Sequence, residues 1–213
     1  SPSVNPLAAN VTTSPNVAQY NGVFTLPQQV QALTAGQWCT DPYFNNTSLL
    51  LHADGTANGS QNNTFLDSSS NAFSITRNGN TTQGSFSPYG SLWSNYFPGS
   101  EANLQNLSTG TAFQTGTGDF TIEFWAYRTT SFAGDSPIIC SENPSRNWLI
   151  QWNDSRFQMQ SAYAGGYIDL AGSGSTTTDT WYHLAMTRNS GTISCWVNGE
   201  LQGQLADTTN YSN

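Results

Sequence analysis

The sequence predicts an all-β fold, an antiparallel sandwich, from three observations. Residues 120–127 alternate between two faces and are rich in aromatic and β-branched side chains, as in a half-buried strand. Residues 181–188 and 192–197 alternate in the same way. Turn signals recur about every 8–12 residues, and no helical periodicity follows Trp38, which is typical of a sandwich.

The strand at residues 120–127 divides its side chains between a core face and an outward face. The core set comprises Phe120, Ile122, Phe124 and Ala126, and the outward set comprises Thr121, Glu123, Trp125 and Tyr127. In the two later strands the predicted core positions are Tyr182, Leu184, Met186, Ile193, Cys195 and Val197. Asn198-Gly199 follows, and because both residues tolerate a positive φ, the pair predicts a tight hairpin turn.

Residues 1–47 are predicted to form an N-terminal anchoring arm. Prolines interrupt the Ser-, Asn- and Thr-rich residues 1–22, which should be extended and become ordered only against a partner. A short helix is expected near residues 27–35, with Pro27 at its first position and Gly36 just past its end. Such a helix is marginal alone, so it should dock on its own sandwich or on a neighbouring subunit.

Residues 48–213 are predicted to form the sandwich domain. The apolar run at residues 48–52 is expected to be its first strand, and residues 71–77 alternate up to a turn at Asn78-Gly79. Residues 86–97 are expected to form a loop that packs aromatic side chains, followed by a strand. Further strands are expected at residues 102–104, 137–140, 148–152, 156–160 and 167–170. Asn143-Pro144 and residues 153–155 supply turns, and the Gly- and Thr-rich residues 171–180 form a loop.

The composition limits the possible partners. The 213 residues include thirteen acidic residues and five arginines, with no lysine, for a formal net charge of −8. A chain without basic patches does not neutralise phosphates, so neither nucleic acid nor an anionic membrane surface is expected as a partner. No apolar run is long enough to predict membrane insertion.

The cysteines predict neither disulfides nor a metal cluster. Cys39, Cys140 and Cys195 are an odd number without motif spacing, so they cannot all pair within one chain. Cys195 lies on the apolar face of a strand and is expected to be a small buried residue. Only His52 and His183 are available as further zinc ligands, and no C-x-x-C occurs.

Three local patterns follow one another at the spacing of a known fold family. They are LLLHADG with FLDSSSN at residues 49–55 and 65–71, TGDFTIEFW at residues 117–125, and WYHLA with WVNG at residues 181–185 and 196–199. Together they resemble the concanavalin A-like jelly roll in its laminin-G-like form. The resemblance implies a jelly-roll sandwich, but no single function, because this fold hosts lectins, enzymes and structural modules.

The preceding segment carries a second resemblance. Residues 22–32 and 35–38 are similar to a segment that precedes such domains in structural proteins of marine tailed phages, especially cyanophages. This resemblance implies a virion protein, such as a fibre, a tail component or a capsid-surface decoration. It also implies other virion proteins as partners of the arm, and a homo-oligomeric assembly.

The chain departs from the family pattern near its end. Family members usually continue after the Asn-Gly hairpin with two more strands, the last with a Gly-Tyr-Ile-Asp-like pattern. Residues 166–169 echo that pattern but lie too early, and the sequence stops at Asn213. The domain is therefore expected to lack its last strands. The simpler explanation is that the polypeptide is longer, and the other is that another chain supplies the missing strand.

An enzymatic role is not expected. Glycan hydrolases with this fold carry a Glu-x-Asp-x-x-Glu arrangement that supplies the nucleophile and the acid/base. Glu123 has no carboxylate two or five positions away and is expected to be an outward residue near Arg128 or Arg188. His183 would suit a base, but neither a nucleophile elbow nor an orienting Asp is evident, so a structural histidine is expected. No catalytic residue is assigned.

Calcium is the one metal that the resemblance raises. Related domains often bind it through the Asp of an Asp-x-x-x-Asn loop, here Asp67 to Asn71, with backbone oxygens and an acid from the final strand. Because that final strand is not found in this sequence, the simpler expectation is an Asx turn at Asp67. No cofactor and no metal-ligating residue are assigned.

The predicted function is therefore that of a phage virion structural protein, whose arm attaches to the particle and whose sandwich is displayed on its surface. The alternative is a lectin-like module that binds a host-surface glycan. The aromatic candidates for sugar stacking are Trp93, Tyr96, Trp148, Trp152 and Tyr163. No loop is favoured among them, so no binding residue is assigned.

Overall fold

The computed structural model describes residues 43–53, 63–89, 93–99, 101–107, 110–131, 133–142, 146–163, 166–172 and 175–212. Residues 1–42 of the predicted arm lie outside these ranges. The helix expected near residues 27–35 is therefore wholly outside the described residues. The predicted turn at Asn143-Pro144 also lies outside the described residues.

The regular secondary structure of the described residues is almost entirely β-strand. Their strands are β1 Ile75–Asn78, β2 Thr82–Gly84, β3 Ser94–Tyr96, β4 Asn103–Asn106, β5 Phe120–Tyr127, β6 Asp135–Glu142, β7 Arg146–Asn153, β8 Arg156–Tyr163, β9 Gly166–Ala171, β10 Trp181–Asn189, β11 Thr192–Val197 and β12 Glu200–Ala206. A single turn of 3-10 helix, Phe44–Asn46, precedes them. Every strand pair is antiparallel, which confirms the predicted all-β antiparallel class.

One four-stranded sheet has the order β12-β11-β10-β5. β5 and β10 pair along the whole of β5, although the chain between them contributes a second sheet. The turn from β11 to β12 uses Asn198 and Gly199 with φ of 51° and 79°. The predicted Asn-Gly hairpin is therefore confirmed, because both residues adopt the left-handed conformation that this pair tolerates.

The second four-stranded sheet has the order β6-β7-β8-β9. Its inward side chains meet those of the first sheet in one apolar core, as in a sandwich. The fully or nearly buried members of that core are Ile150, Trp152, Phe157, Met159, Leu184, Met186, Ile193, Cys195 and Tyr211. Burying each large apolar side chain contributes about 1.5–3 kcal/mol, so this layer is the main source of stability.

Two further pairs of strands, β1-β4 and β2-β3, lie outside the large sheets. The predicted turn after β1 is present at Gly79, which has a φ of 61°. A Cβ at this position would lie 2.6 Å from the carbonyl oxygen of Glu101, so the close approach of the two segments requires glycine.

The prediction of a strand at residues 48–52 is wrong. This run makes only an isolated bridge, Leu51 to Asp67. The N–H of Leu50 donates to the carboxylate of Asp67 instead of to a neighbouring strand, so a side chain takes the place of a strand ladder. β2 and β12 were not predicted, because their sequences are polar or Gly-containing and alternate only weakly.

The chain divides into two compact units. The described residues of one unit are 43–51 and 67–73, and those of the other lie within residues 52–66 and 74–212. Both large sheets belong to the second unit. Among the described residues, no helix has the length and apolar character needed to span a membrane.

Candidate functional site

The outer face of the first sheet carries aromatic side chains where a solvated sheet usually carries polar ones. Trp125 and Tyr127 alternate outward on β5, and they lie directly opposite His183 and Trp181 on β10. Each cross-strand pair has its ring centroids 5.4 Å apart. This spacing lies within the range of favourable ring contacts, so the rings of each pair touch, and the two pairs lie in one layer on the same face, two positions apart along each strand.

Two aromatic residues from the segment between β2 and β3 extend this layer. The Phe86 ring lies edge-on to Tyr127 at 4.7 Å and 5.3 Å from Trp181. The Tyr89 ring lies edge-on to Trp125 at 5.4 Å. We call these six residues, Phe86, Tyr89, Trp125, Tyr127, Trp181 and His183, the aromatic surface.

The aromatic surface remains open to solvent. Phe86 is 52% exposed, and Tyr89 and Trp125 are each 40% exposed. Single exposed aromatic residues are ordinary, but two neighbouring groups of three aromatic residues over one sheet face are typical of a ligand or partner site.

Carboxylates border the aromatic surface on two sides. Glu123 Oε2 lies 3.3 Å from His183 Nε2, with 60% of the glutamate side chain exposed. Tyr127 Oη donates to Asp179 Oδ1 at 3.4 Å. Partial desolvation raises the pKa of Tyr127, and the Asp179 carboxylate raises it further. The surface therefore combines ring faces with hydrogen-bond acceptors.

The expectation that Glu123 lies near Arg128 or Arg188 is wrong. Glu123 is opposite Ala185 in the register, which makes His183 its diagonal neighbour on the same face. Arg188 belongs to the inner face and is 3% exposed. Its Nε lies 3.1 Å from the buried Asp207 Oδ2, a pair that sequence reasoning did not identify.

An open groove of about 390 Å³ begins where β5 ends. Its lining consists of Arg128, Ser131, Asp154, Ser155, Thr176, Thr177 and Thr178, and we call it the hydroxyl groove. Arg128 Nη1 donates to the carbonyl oxygen of Asp154 at 2.6 Å, and Nη2 donates to that of Thr176 at 2.9 Å. Its guanidinium also lies 4.8 Å above the Trp152 ring, so the arginine is fixed in place from three directions.

The residues implied for calcium do not fit a cation site. Oδ1 of Asp67 accepts from the N–H groups of Leu50 and Ser69, and Oδ2 accepts from the Phe73 N–H and the Ser69 hydroxyl. Burial alone acts to raise the pKa of Asp67, but the backbone N–H donors outweigh it and hold the pKa below its ordinary value. Asn71 uses its amide nitrogen as a donor to a backbone carbonyl.

Asp67 instead centres the Asx turn that the sequence predicts, through the bond from the Ser69 N–H. Its four hydrogen bonds leave no oxygen directed at an ion. Across the described part of the chain, no group of three His, Cys, Asp or Glu side chains is placed to hold a metal.

The aromatic candidates whose side chains the structure describes do not form one exposed surface. Trp152 is a core residue at 5% exposure, and Trp148 packs against the same core. Trp93 is half-buried, and Tyr96 is exposed on the short strand β3. The side chain of Tyr163 lies outside the described part of the structure.

None of the six residues of the aromatic surface was chosen from the sequence as a binding residue, although four of them alternate outward on β5 and β10. The available signal was the outward alternation of Trp125 and Tyr127 on β5 and of Trp181 on β10. A solvated face favours polar side chains, so three large rings on such a face call for another explanation.

Cys195 is buried, as predicted. It is 0% exposed, and its thiol lies 3.7 Å from the carbonyl oxygen of Phe157. Desolvation by burial raises the pKa of the thiol to about 12. Because the thiolate is the reactive form, Cys195 is inert in the folded protein.

Comparisons with known proteins agree with this architecture. A laminin-G-type model described as the Concanavalin A-like lectin/glucanases superfamily matches residues 98–213, more than half of the chain. Among solved structures, the chain is similar to the binding domain of botulinum neurotoxin DC in complex with rat synaptotagmin II, with 16% identity and a TM-score of 0.52. The match covers 79% of this chain and 43% of that chain, and at this identity it shows the fold alone. No curated protein matches the sequence.

Proposed function

This chain belongs to the concanavalin A-like lectin/glucanases superfamily, and from that premise we propose that it is a non-catalytic binding module displayed on a phage virion. The observation that carries the binding role is the aromatic surface. Its three most exposed rings are Trp125, on a sheet whose other face already closes the core, and Phe86 and Tyr89, which pack against the outer face of that sheet. Covering such rings with a ligand is favourable, because it removes apolar area from water.

The ligand that suits this surface best is a host-surface glycan. Ring faces stack on the apolar faces of sugars, while the Glu123 and Asp179 carboxylates accept hydrogen bonds from sugar hydroxyls. The net charge of −8 disfavours polyanions. The similar neurotoxin domain is described in complex with a protein, so a protein ligand is the other outcome of the test.

The virion location rests on the sequence. Residues 22–32 and 35–38 resemble a segment of cyanophage structural proteins, and residues 1–47 are proposed to attach the module to other virion proteins. A homo-oligomeric assembly would present several copies of the aromatic surface and strengthen a weak single contact by multivalency.

Catalysis and a resident calcium ion are not part of this proposal. The Asp67 carboxylate is already fully hydrogen-bonded, so binding is expected to survive chelation of calcium. Incubation with a bound glycan should release no shorter product, which chromatography of the glycan would reveal. Released product would replace the binding proposal with an enzymatic one.

Glycan-array binding of the purified protein tests the aromatic surface. We expect saturable binding that Trp125→Ala weakens at least about tenfold, the loss of roughly 1.4 kcal/mol of stacking. Leu201→Ala is the matched control, because Leu201 is 46% exposed on β12 and belongs to a different part of the same sheet. Unchanged binding in Trp125→Ala would contradict the assignment of this surface.

Imaging tests the virion role. We expect cryo-EM of purified particles to show the arm between virion subunits and the sandwich projecting outward. Absence of the chain from particles, checked by mass spectrometry, would reject the virion role. A binding result on the array would still stand in that case.

A further inference from the structure

The aromatic surface and the hydroxyl groove meet at the end of β5. Tyr127 belongs to the aromatic surface, and the next residue, Arg128, lines the groove. Successive side chains of a strand point to opposite faces, so Tyr127 faces outward while Arg128 turns to the inner side, where its guanidinium lies over the Trp152 ring. The segment before β10 joins the two regions, because Thr178 lines the groove and the Asp179 carboxylate accepts from Tyr127.

Hydrogen bonds hold the connecting segment, residues 176–180, against both strands. The Asp179 N–H donates to the carbonyl oxygen of Arg128 at 2.9 Å, and the Asp179 carboxylate accepts from Tyr127. The Thr177 hydroxyl lies 3.2 Å from Tyr182 Oη, and the Thr177 N–H donates to the same oxygen at 3.1 Å. These two hydrogen bonds lower the pKa of Tyr182. The rim between groove and surface is therefore preformed and needs no ordering when a ligand binds.

The lining of the hydroxyl groove suits an uncharged ligand rich in hydroxyl groups. Five of its seven side chains are Ser or Thr. The Thr176 hydroxyl is buried and donates to the Ser155 carbonyl, and the Thr177 hydroxyl contacts Tyr182 Oη. The other three, on Ser131, Ser155 and Thr178, are at least partly exposed and able both to donate and to accept. The single cation, Arg128, already donates to two backbone carbonyls. Asp154 Oδ1 accepts from the Gly134 N–H at 2.8 Å, and no hydrogen bond from the described residues reaches its Oδ2. One cation and one carboxylate leave the lining without net charge.

We propose that the hydroxyl groove is a second subsite of the same glycan site. One sugar unit stacks on the aromatic surface, and the adjoining units pass over residues 176–180 into the groove. The ligand is then an uncharged oligosaccharide rather than a single sugar. This inference rests on the proposed function, since without stacking on the aromatic surface there is no chain to extend.

A length series tests the second subsite. The probes are glucose, mannose and galactose and their uncharged oligomers, measured by titration calorimetry on the full chain. We expect the preferred oligomer to bind about tenfold more tightly than its monosaccharide. Thr178→Trp should fill the groove and abolish this gain, while binding of the monosaccharide stays unchanged. In the described structure, Thr178 contributes only its carbonyl to the hydrogen bonds of the segment, so the fold should survive.

Thr208→Trp is the matched control. Thr208 is exposed, and the preceding Asp207 N–H donates to Gly191 at the far end of β10. A nine-residue strand at about 3.3 Å per residue places this end roughly 25 Å from the groove. The control should retain the full gain with chain length.

Asp154→Asn supplies a second variant that keeps the local fold. Asn tolerates the positive φ of 52° and preserves the acceptor for the Gly134 N–H. We expect a loss of about threefold or more in binding of the oligomer only.

The outcomes separate the two claims. A length gain that survives Thr178→Trp, or no gain at all, overturns the second subsite, while sensitivity to Trp125→Ala still supports the aromatic surface. Failure of every probe to bind the unmodified protein overturns both claims for uncharged glycans.

Discussion

The two faces of β10 differ in what their side chains touch. On the inner face, Leu184 and Met186 are 0% exposed and pack in the core. On the outer face, Trp181 and His183 are half-exposed and contact other rings. Because side chains alternate with a period of two, the inner face of this strand stabilises the core while its outer face carries candidate binding residues.

The inner face does not stay apolar to its end. Arg188 continues the row of Tyr182, Leu184 and Met186, and its Nη2 donates to the backbone carbonyl of Asp207 at 2.7 Å. The Asp207 carboxylate also accepts from the Thr209 N–H and the Tyr211 hydroxyl. Two buried charges are tolerated here because each is paired and hydrogen-bonded. The exposed carboxylates of the outer face do not need such partners, because water solvates them.

The largest effect is expected when the buried charge pair is broken. Asp207→Ala leaves Arg188 buried without its partner and should lower the free energy of unfolding by about 3–5 kcal/mol, measured by urea denaturation. The double variant Arg188→Met with Asp207→Leu should recover part of that loss, since it removes both charges. A loss below about 1 kcal/mol for Asp207→Ala would show that the pair contributes little.

Adjacent residues on β10 allow the two faces to be compared directly. Leu184→Ala should cost about 2–5 kcal/mol, because it leaves a cavity in a fully buried site. His183→Ala, one position earlier, should cost less than about 1 kcal/mol, because its contact with Glu123 is solvent-exposed. Equal losses in chemical denaturation would mean that the outer face is structural as well.

The Cys195 thiol on the inner face makes the free energy of unfolding depend on pH. Its folded pKa of about 12 lies above the ordinary value of 9.0, so only the unfolded chain ionises between these values. The free energy of unfolding therefore keeps this contribution below about pH 9. It decreases as the pH rises, by about 1.4 kcal/mol at pH 10. Urea denaturation at pH 8 and pH 10 measures this, and Cys195→Ala should lack that component of the decrease. An identical decrease in both proteins would show that the thiol is not responsible.

The smallest effect is expected on the outer face, away from the aromatic surface. Trp196 Nε1 donates to Thr187 Oγ1 at 3.0 Å across β10 and β11. Trp196→Phe removes this donor and should cost about 0.5–1.5 kcal/mol. In a Thr187→Val background the same change should cost less, and a double-mutant cycle isolates the hydrogen bond. Additive losses would show that the bond contributes nothing measurable.

The sequence alone predicted the strands with strong alternation and the turns with strong local signals. The face assignment of β5 is confirmed, since its even-numbered positions are half-buried and its exposed positions are Thr121, Glu123 and Trp125. The Asn198-Gly199 turn is confirmed for the same reason, because its chemistry lies within two residues. The strand prediction for residues 48–52 was wrong because the Leu50 N–H donates to the side chain of Asp67, 17 positions later, and not to a neighbouring strand.

Only the tertiary structure decided which aromatic residues form a surface. Phe86 and Tyr89 reach Tyr127 and Trp125 from a separate segment, and no local pattern encodes that contact. The same limit hid the pairing of Arg188 with Asp207, 19 positions apart. Local periodicity determined which way each side chain points, because the pleat sets that within a few residues. The path of the chain determined what each side chain meets, because the partners are distant in sequence.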